Sequence, residues 1–348
     1  MSLKNNKHLP LDKFIDLALY HPKKGFYMKK NPIGKNGDFI TSPNISILFS
    51  EMIVIWTVAF WENLNCPKKI NIVELGGGNG EMLKQIIFSS KKFSKFSNSC
   101  NFFLYEKSPF LIKIQKSKLE KTKVKWIKNF KKINNYPTIF IANEFFDALP
   151  IKQFIKVNNR WYEKYLDISN SKNFKFINKS FKIEKLKSKL KIDINNQSFI
   201  EYSPLALNYL KKISKIISKN KGGLLIIDYG NFNWKMSDSL KIIQKHKIKQ
   251  NFNDLGNSDI TYDINFNLIK KILKNFELNV AGSTTQRNFL KRLGILERAE
   301  IVAKNMIFSK KADLFYRLQK LIGKNEMGTT FKVLLATNKS NNFNLGMK

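Results

Sequence analysis

Residues 70–80, I-N-I-V-E-L-G-G-G-N-G, constrain the fold more than any other stretch of the chain. Ile70–Leu75 has the length and β-branched content of a buried strand, and it carries an acid, Glu74, just before the glycines begin. Residues 81–87 then read as a helix. Strand, glycine turn and helix form the opening unit of a doubly wound α/β domain, in which a ligand sits at the strand's carboxyl end. Glycine belongs where the backbone turns sharply, or where a ligand approaches it with no Cβ in the way.

The spacing of the glycines narrows the ligand. A dinucleotide fingerprint is G-x-G-x-x-G, whereas Gly76, Gly78 and Gly80 give G-x-G-x-G after an acid. That variant is typical of S-adenosylmethionine (SAM) sites. SAM has no pyrophosphate for the helix N-terminus to hold, so an acid beside the turn can face its ammonium and sulfonium groups. The alternative is a glycine-rich turn without a ligand.

The βα rhythm continues downstream. Residues 101–106 read as a second strand ending in Glu106, which lies 26 residues past Gly80. Such folds place an acid on the ribose hydroxyls about 20 residues past the turn. Ser108-Pro109 opens a helix to about residue 120. Residues 124–127, 138–143 and 223–229 supply three more strands, and strands separated by helices argue for a mostly parallel sheet. Residues 276–281 and 331–337 would close it as an antiparallel pair.

Upstream, residues 9–20 have helical spacing. Ser42-Pro43 suits a helix start, with Ser42 as N-cap and Pro43 at the first position. Ile45, Leu48, Phe49, Met52, Ile53, Trp56 and Phe60 would share that helix's buried face. About 80 residues separate the fourth and fifth strands, more than one crossover needs. Within them 154–157, 161–166 and 174–177 alternate like antiparallel strands, so 151–222 reads as a substrate-side insertion. Residues 179–191 read as a solvated face and 252–263 as a loop. The expected division is 1–66 as an N-terminal helical, pocket-lining region, 67–338 as the α/β domain and 339–348 as a tail.

The fourth strand empties into Asn143-Glu144-Phe145-Phe146-Asp147-Ala148-Leu149-Pro150, the point that faces the reacting group in this kind of fold. Enzymes that methylate base amino groups usually grip an extruded base there with an Asn/Asp-Pro-Pro-aromatic turn. This chain has two carboxylates instead. Two acids suit a planar cation, because a guanidinium offers a fork of donors that carboxylates accept in bidentate fashion. The plainer reading makes Glu144 the cap of a following helix and Asp147 a turn residue.

The formal charge of +36 over 348 residues points, taken alone, to a nucleic-acid or membrane partner. Yet five of the 62 basic residues are Arg, and Asn, Ile and Phe are abundant. Those residues share A/T-rich codons, so compositional bias explains the charge as well as a functional surface does. Cys66 and Cys100 give neither a disulfide framework nor metal spacing; no metal is expected and a reduced cytosol fits. The first ten residues carry no signal or transit pattern, and the apolar stretch 52–61 is too short to span a bilayer. These features predict a soluble, cytoplasmic protein with its oligomeric state left open.

Several motifs occur in a fixed order: G-F-Y-M (25–28), G-D-F-I-T-S-P-N-I-S (37–46), V-E-L-G-G-G-N-G (73–80), Y-E-K-S-P (105–109), A-N-E-F-F-D-A-L-P (142–150), I-D-Y-G (227–230), D-I-T-Y-D-I-N-F (259–266), T-Q-R-N-F-L-K-R-L-G-I (285–295) and E-M-G-T-T-F-K-V-L (326–334). Together they resemble the MidA-like family of SAM-dependent methyltransferases, over about residues 9–338. The resemblance implies a class I (Rossmann-like) methyltransferase fold, a mostly parallel seven-stranded sheet, and SAM as cofactor. A mitochondrial member of that family is a protein arginine methyltransferase that assists assembly of respiratory complex I. The implied substrate is therefore a protein arginine, such as one in a complex I subunit. The match starts so near Met1 that the chain looks bacterial.

On this reading Glu74, Gly76, Gly78, Gly80, Glu106 and Asn143 hold SAM, and Glu144 and Asp147 act on the guanidinium. Asp38, Thr41 and Ser42 either line the pocket or cap the first long helix. The departures are local. The family commonly has Gly-Pro-Gly-Arg-Gly at 76–80, so a basic side chain is replaced by Asn79, and it commonly has Glu where Asn44 stands. The 238–266 segment departs too, with Asp263-Ile264-Asn265 in place of His-Val-Asp, and no role is carried onto it. Two other readings stand: a nucleic-acid methyltransferase, favoured by the charge, and a non-catalytic SAM-binding assembly factor.

Overall fold

The apolar runs pair into one central sheet in a computed structural model of the chain, which describes residues 7–34, 37–170, 174–191, 196–244, 247–249 and 256–348. Its strands are β1 (Ile70–Leu75), β2 (Cys100–Tyr105), β3 (Lys125–Ile127), β4 (Thr138–Asn143), β5 (Gly222–Asn231), β6 (Asn279–Thr285) and β7 (Phe331–Thr337). They lie in the order β3-β2-β1-β4-β5-β7-β6. β1 to β5 run parallel, and β7 is antiparallel to both its neighbours. Ile264–Asn265 adds a short parallel pairing at the end of β5. The direction of winding reverses between β1 and β4, which is where such sheets open a ligand crevice.

Both faces of the sheet are covered, which is why β1 and β4 read as unbroken apolar runs: all six residues of each are buried. Side chains alternate between two cores. Ile139 and Ile141 of β4 join Trp56, Phe60 and Ile72 on one face, while Phe140 and Ala142 join Phe14, Phe103 and Ile226 on the other. The helix Pro109–Lys118 starts as expected, with Ser108 Oγ accepting from Leu111 N at 3.1 Å. The 17-residue helix Pro204–Asn220 is capped the same way by Ser203 and leads into β5.

The insertion supplies four strands of a separate five-stranded antiparallel sheet. Arg160–Asp167 pairs with Lys152–Val157 and His8–Pro10 on one side and with Lys175–Ser180 on the other; Phe199–Tyr202 extends the sheet beyond Lys152–Val157. Residues 8–10 are thus strand, and the first helix is Leu11–Tyr20. Nothing local in the sequence marks them, because their partner lies more than 150 positions away.

Four further expectations need correction. The helix begun at Ser42 stops after Ile45, because Ser46 is extended (φ −152°) and caps a separate helix, Ile47–Asn63, by accepting from Leu48 N at 3.3 Å. Ser42 is therefore not the N-cap of the long helix. Residues 179–191 are not simply solvated, since Leu186 and Leu190 of the helix Glu184–Leu190 are buried. Within 252–263, residues 252–255 fall outside the described set, and Asp259–Thr261 is a strand antiparallel to Lys241–Gln244, not a loop. The closing strand begins at Asn279, because Lys274–Phe276 still take part in the preceding helix end.

Replacing Ser46 by Ala should remove the cap of the helix that fills the space behind β1. A loss of about 1 kcal/mol is expected, read as a lower urea midpoint with an unchanged slope. An unchanged midpoint would mean that the helix end is held by packing alone.

Candidate active site

β1 delivers Glu74 to the crevice and then turns through Gly76 and Gly78, whose φ values of 67° and 53° lie in the left-handed region. Close approach reinforces the requirement: a Cβ on Gly78 would sit 2.5 Å from Ile33 Cδ1, and one on Gly76 2.7 Å from Phe145 Cδ2. Gly80, also left-handed at 79°, starts the helix Glu81–Ser90 and does not itself line the cavity. The cavity beside this turn is walled by Glu74, Glu106, Asn143, Glu144, Asp147 and Asp259, with Tyr20, Tyr27, Tyr105 and Tyr229 between the acids.

Glu74 is 3% exposed, and its Oε2 has no hydrogen-bond partner. Burial, with the Glu106 charge second, pushes its carboxyl up to about 8. Glu106 is better served. Its Oε1 accepts from Lys107 N (2.8 Å) and Ser108 N (2.9 Å), and its Oε2 from Gln115 Nε2 (3.1 Å). Gln115 also donates to Gly78 O at 2.8 Å and accepts from Trp126 Nε1 at 3.0 Å, so it ties Glu106 to the glycine turn.

The second half of the site hangs from the end of β4. Asn143 Nδ2 donates to Glu144 Oε1 at 3.2 Å, and Asn143 Oδ1 is buried without a partner. Glu144 takes a left-handed backbone (φ 51°), which is costly for a residue with a Cβ. No helix follows it, so the capping role does not apply. Three consecutive amides hold the turn: Phe145 N, Phe146 N and Asp147 N donate to Asp228 Oδ2 at 3.2, 3.0 and 3.4 Å. Asp147 Oδ2 accepts from Thr261 Oγ1 at 3.3 Å, and Asp147 Oδ1 is buried and unpartnered.

These acids crowd one another. Burial first, then Asp147, pushes the Glu144 carboxyl up to about 8. Burial and then Asp259 raise Asp147, and burial with the Asp147 and Glu144 charges raises Asp228 well above the usual range. Among the described residues no Lys or Arg forms an ion pair with Glu74, Glu144, Asp147 or Asp228. The arrangement asks for a cation brought from outside. Among the described residues no group of His, Cys, Asp and Glu is arranged to hold a metal ion.

The N-terminal candidates separate. Thr41 lines the cavity. Ser42 stands behind it, donating its backbone N–H to Glu144 Oε1 at 3.2 Å. Asp38 pairs with Lys30 at 2.6 Å and is not part of the wall. Sequence reasoning missed Asp228, Asp259, Thr261, Tyr27 and Gln115. Asp228 had a usable signal, since it follows an apolar strand as Glu74 does; Gln115 had none.

Residues 52–284 match the model of a family described as "Putative S-adenosyl-L-methionine-dependent methyltransferase". The chain is 28% identical over 357 residues to the mitochondrial protein arginine methyltransferase NDUFAF7 of Xenopus laevis, covering 95% of this chain and 81% of that one. For its counterpart in Danio rerio the identity is 29% over 346 residues, with 92% and 81% covered. A crystal structure of a superfamily member from Burkholderia thailandensis bound to S-adenosyl-homocysteine shares the fold. It has a TM-score of 0.82 and 20% identity, and covers 97% of this chain and 90% of that one. Among the described residues no helix is long and apolar enough to cross a membrane.

The raised carboxyls fix the sign of a pH effect in the ligand-free protein. Glu144 holds its proton more tightly folded, with a pKa of about 8, than unfolded, with the ordinary value of 4.5. Its contribution to stability is full below the unfolded value and is lost as pH rises through the folded one. The stability of Glu144→Gln relative to the native chain should therefore increase from about pH 5 to about pH 8.5, measured by urea unfolding at each pH. A difference that stays flat over that window would show that Glu144 titrates normally.

Proposed function

The chain belongs to this family of S-adenosyl-L-methionine-dependent methyltransferases, and we propose that it methylates the guanidinium of an arginine in a protein. One observation carries the substrate reading: the partly buried Glu144 and the buried Asp147 stand at the end of β4 with no basic partner among the described residues, and Asp147 Oδ1 accepts nothing. A guanidinium brings five N–H donors in a rigid plane, matching carboxylates that have lone pairs to spare. The curated relatives carry the name protein arginine methyltransferase. A subunit of respiratory complex I is the target that the family resemblance implies.

The residues present fit SAM. Gly76 and Gly78 leave backbone that a Cβ would obstruct, the unpartnered Glu74 Oε2 suits a cationic group, and Glu106 retains lone pairs for ribose hydroxyls. Asn143 would complete the holding set, with Gly80 shaping the turn. When bound, SAM supplies an electrophilic methyl group. Glu144 and Asp147 then orient the guanidinium by accepting its N–H groups, which concentrates its positive charge on the paired side and leaves the remaining nitrogen richer in electrons. The proton lost from that nitrogen has an acceptor in Asp147 Oδ1, on a carboxyl raised by burial towards the range where general bases work.

A base-modifying enzyme is the weaker reading. A ring of buried acids repels phosphate, and the Pro-Pro-aromatic turn is replaced by Phe145-Phe146.

The test is mass spectrometry of proteins from a cell lysate incubated with the enzyme and SAM, which should show methyl groups on arginine. Glu144→Gln and Asp147→Asn should each slow transfer by about 30-fold or more, as truncating one partner of a buried charge pair costs about 2–5 kcal/mol, with SAM affinity within a few-fold. Gly78→Val should abolish the thermal stabilisation that SAM gives, about 2.7 kcal/mol at roughly 100 times its dissociation constant. Methyl groups on a nucleobase or on lysine would defeat the arginine reading.

A further inference from the structure

We propose that Asp259 is a third substrate-binding carboxylate, set opposite Glu144 and Asp147, and that it gives the site its preference for a planar guanidinium over an ammonium. The proposal rests on the arginine reading above and adds a residue from the 238–266 segment, onto which the family resemblance carries no role.

The geometry begins with strand alternation. Asp259 and Thr261 are two apart on the strand Asp259–Thr261 and so project to one face. That face is the cavity, which both residues line, while Ile260 between them packs into the core. Thr261 Oγ1 bonds Asp147, so the strand is fastened to the carboxylate it would work with. Asp259 is itself aimed. Its Oδ1 accepts from Tyr27 Oη at 2.9 Å and from Ile260 N at 3.0 Å, which leaves Oδ2 without a hydrogen bond among the described residues. A second observation points to a ligand between them: Asp147 is 8% exposed, and its Oδ1 has no partner at all.

The chemistry of the ligand follows from where these oxygens come from. Glu144 and Asp147 belong to one turn after β4, whereas Asp259 comes from a separate strand closing the cavity with Tyr27. An ammonium is a compact point charge that one or two carboxylates satisfy. A guanidinium carries donors around its whole plane and reaches acceptors on more than one wall. Three carboxylates drawn from two elements are redundant for the first cation and matched to the second. The field agrees with this placement, since the Asp259 charge is the neighbour that most raises Asp147.

The experiment measures binding, not turnover. The protein loaded with S-adenosyl-homocysteine is titrated calorimetrically with N-acetyl-arginine methylamide and, separately, with N-acetyl-lysine methylamide. The native chain should favour the arginine probe. Asp259→Asn should weaken that probe by about tenfold, as expected for losing a charged acceptor, and narrow the gap to lysine. Its affinity for S-adenosyl-homocysteine should stay within about twofold, a readout that general loosening of the site would move. If Asp259→Asn does not fold, Tyr27→Phe removes the donor that aims the carboxylate and should weaken the arginine probe by a few-fold. A native chain that binds arginine better than lysine, together with a folded variant that binds it equally well, overturns the role of Asp259 and spares the arginine reading. A native chain that prefers the lysine probe, or binds neither, overturns both.

Discussion

Asp228 Oδ2 accepts from the amides of Phe145, Phe146 and Asp147, and the rest of the site depends on that contact. Its position follows from sheet register. β5 lies parallel beside β4 with Ile227 opposite Asn143, so the next residue of β5 falls where the chain leaves β4 and turns. Ile227 O takes Glu144 N at 3.0 Å, and the carboxylate of Asp228 takes the following three N–H groups. Together they hold Glu144 in a left-handed conformation that costs about 1–3 kcal/mol when it is not imposed by its surroundings. Without the carboxylate, three donors would be left without their acceptor in a buried turn, at about 1–3 kcal/mol for each one unsatisfied. Glu144 and Asp147 point into the cavity because β5 supplies an acid at one fixed register.

A basic chain thus contains an acidic centre, and the two facts operate on different length scales. Lysines on the surface are screened beyond about 8 Å at physiological ionic strength. Glu74, Asp147, Asp228 and Asp259 are buried and Glu144 is partly buried, so screening is weak there and like charges raise one another's pKa. The formal charge of +36 therefore says little about what the cavity accepts. The cavity's own chemistry, an excess of carboxyl groups interleaved with tyrosines, favours cationic ligands.

The sheet was legible because strands buried on both faces leave unbroken apolar runs, and the glycine turn was legible because left-handed backbone and close approach demand Gly76 and Gly78. Glu74, Glu106, Glu144 and Asp147 stood out as acids at the ends of such runs. Asp228 ends an apolar run too, but lies some 80 positions from the turn it holds, and only sheet order brings them together. Asp259 was hidden for a different reason. Its strand is three residues long and forms by pairing with Lys241–Gln244, so no local periodicity announces it. The cap at Ser46 was misplaced at Ser42 because S-P-N-I-S offers two serines with the same local chemistry, and the extended backbone at Ser46 decides between them.

The break at Ser46 also places Asn44 and Asn79, two departures from the family pattern, side by side. Because the long helix starts at Ile47, residues 42–45 form a separate short turn over the cavity. From it, Asn44 Oδ1 accepts from Asn79 Nδ2 at 2.8 Å, while Asn79 Oδ1 accepts from Glu81 N at 3.2 Å. Where the resembling family commonly has an acid at the first position and a basic residue at the second, this chain has an amide at each. In this chain the glycine turn is therefore bridged to the overlying segment by a neutral hydrogen bond. The bridge holds the overlying segment against the glycine turn, where a Cβ on Gly78 would meet Ile33 Cδ1 at 2.5 Å and the side chain would have to shift.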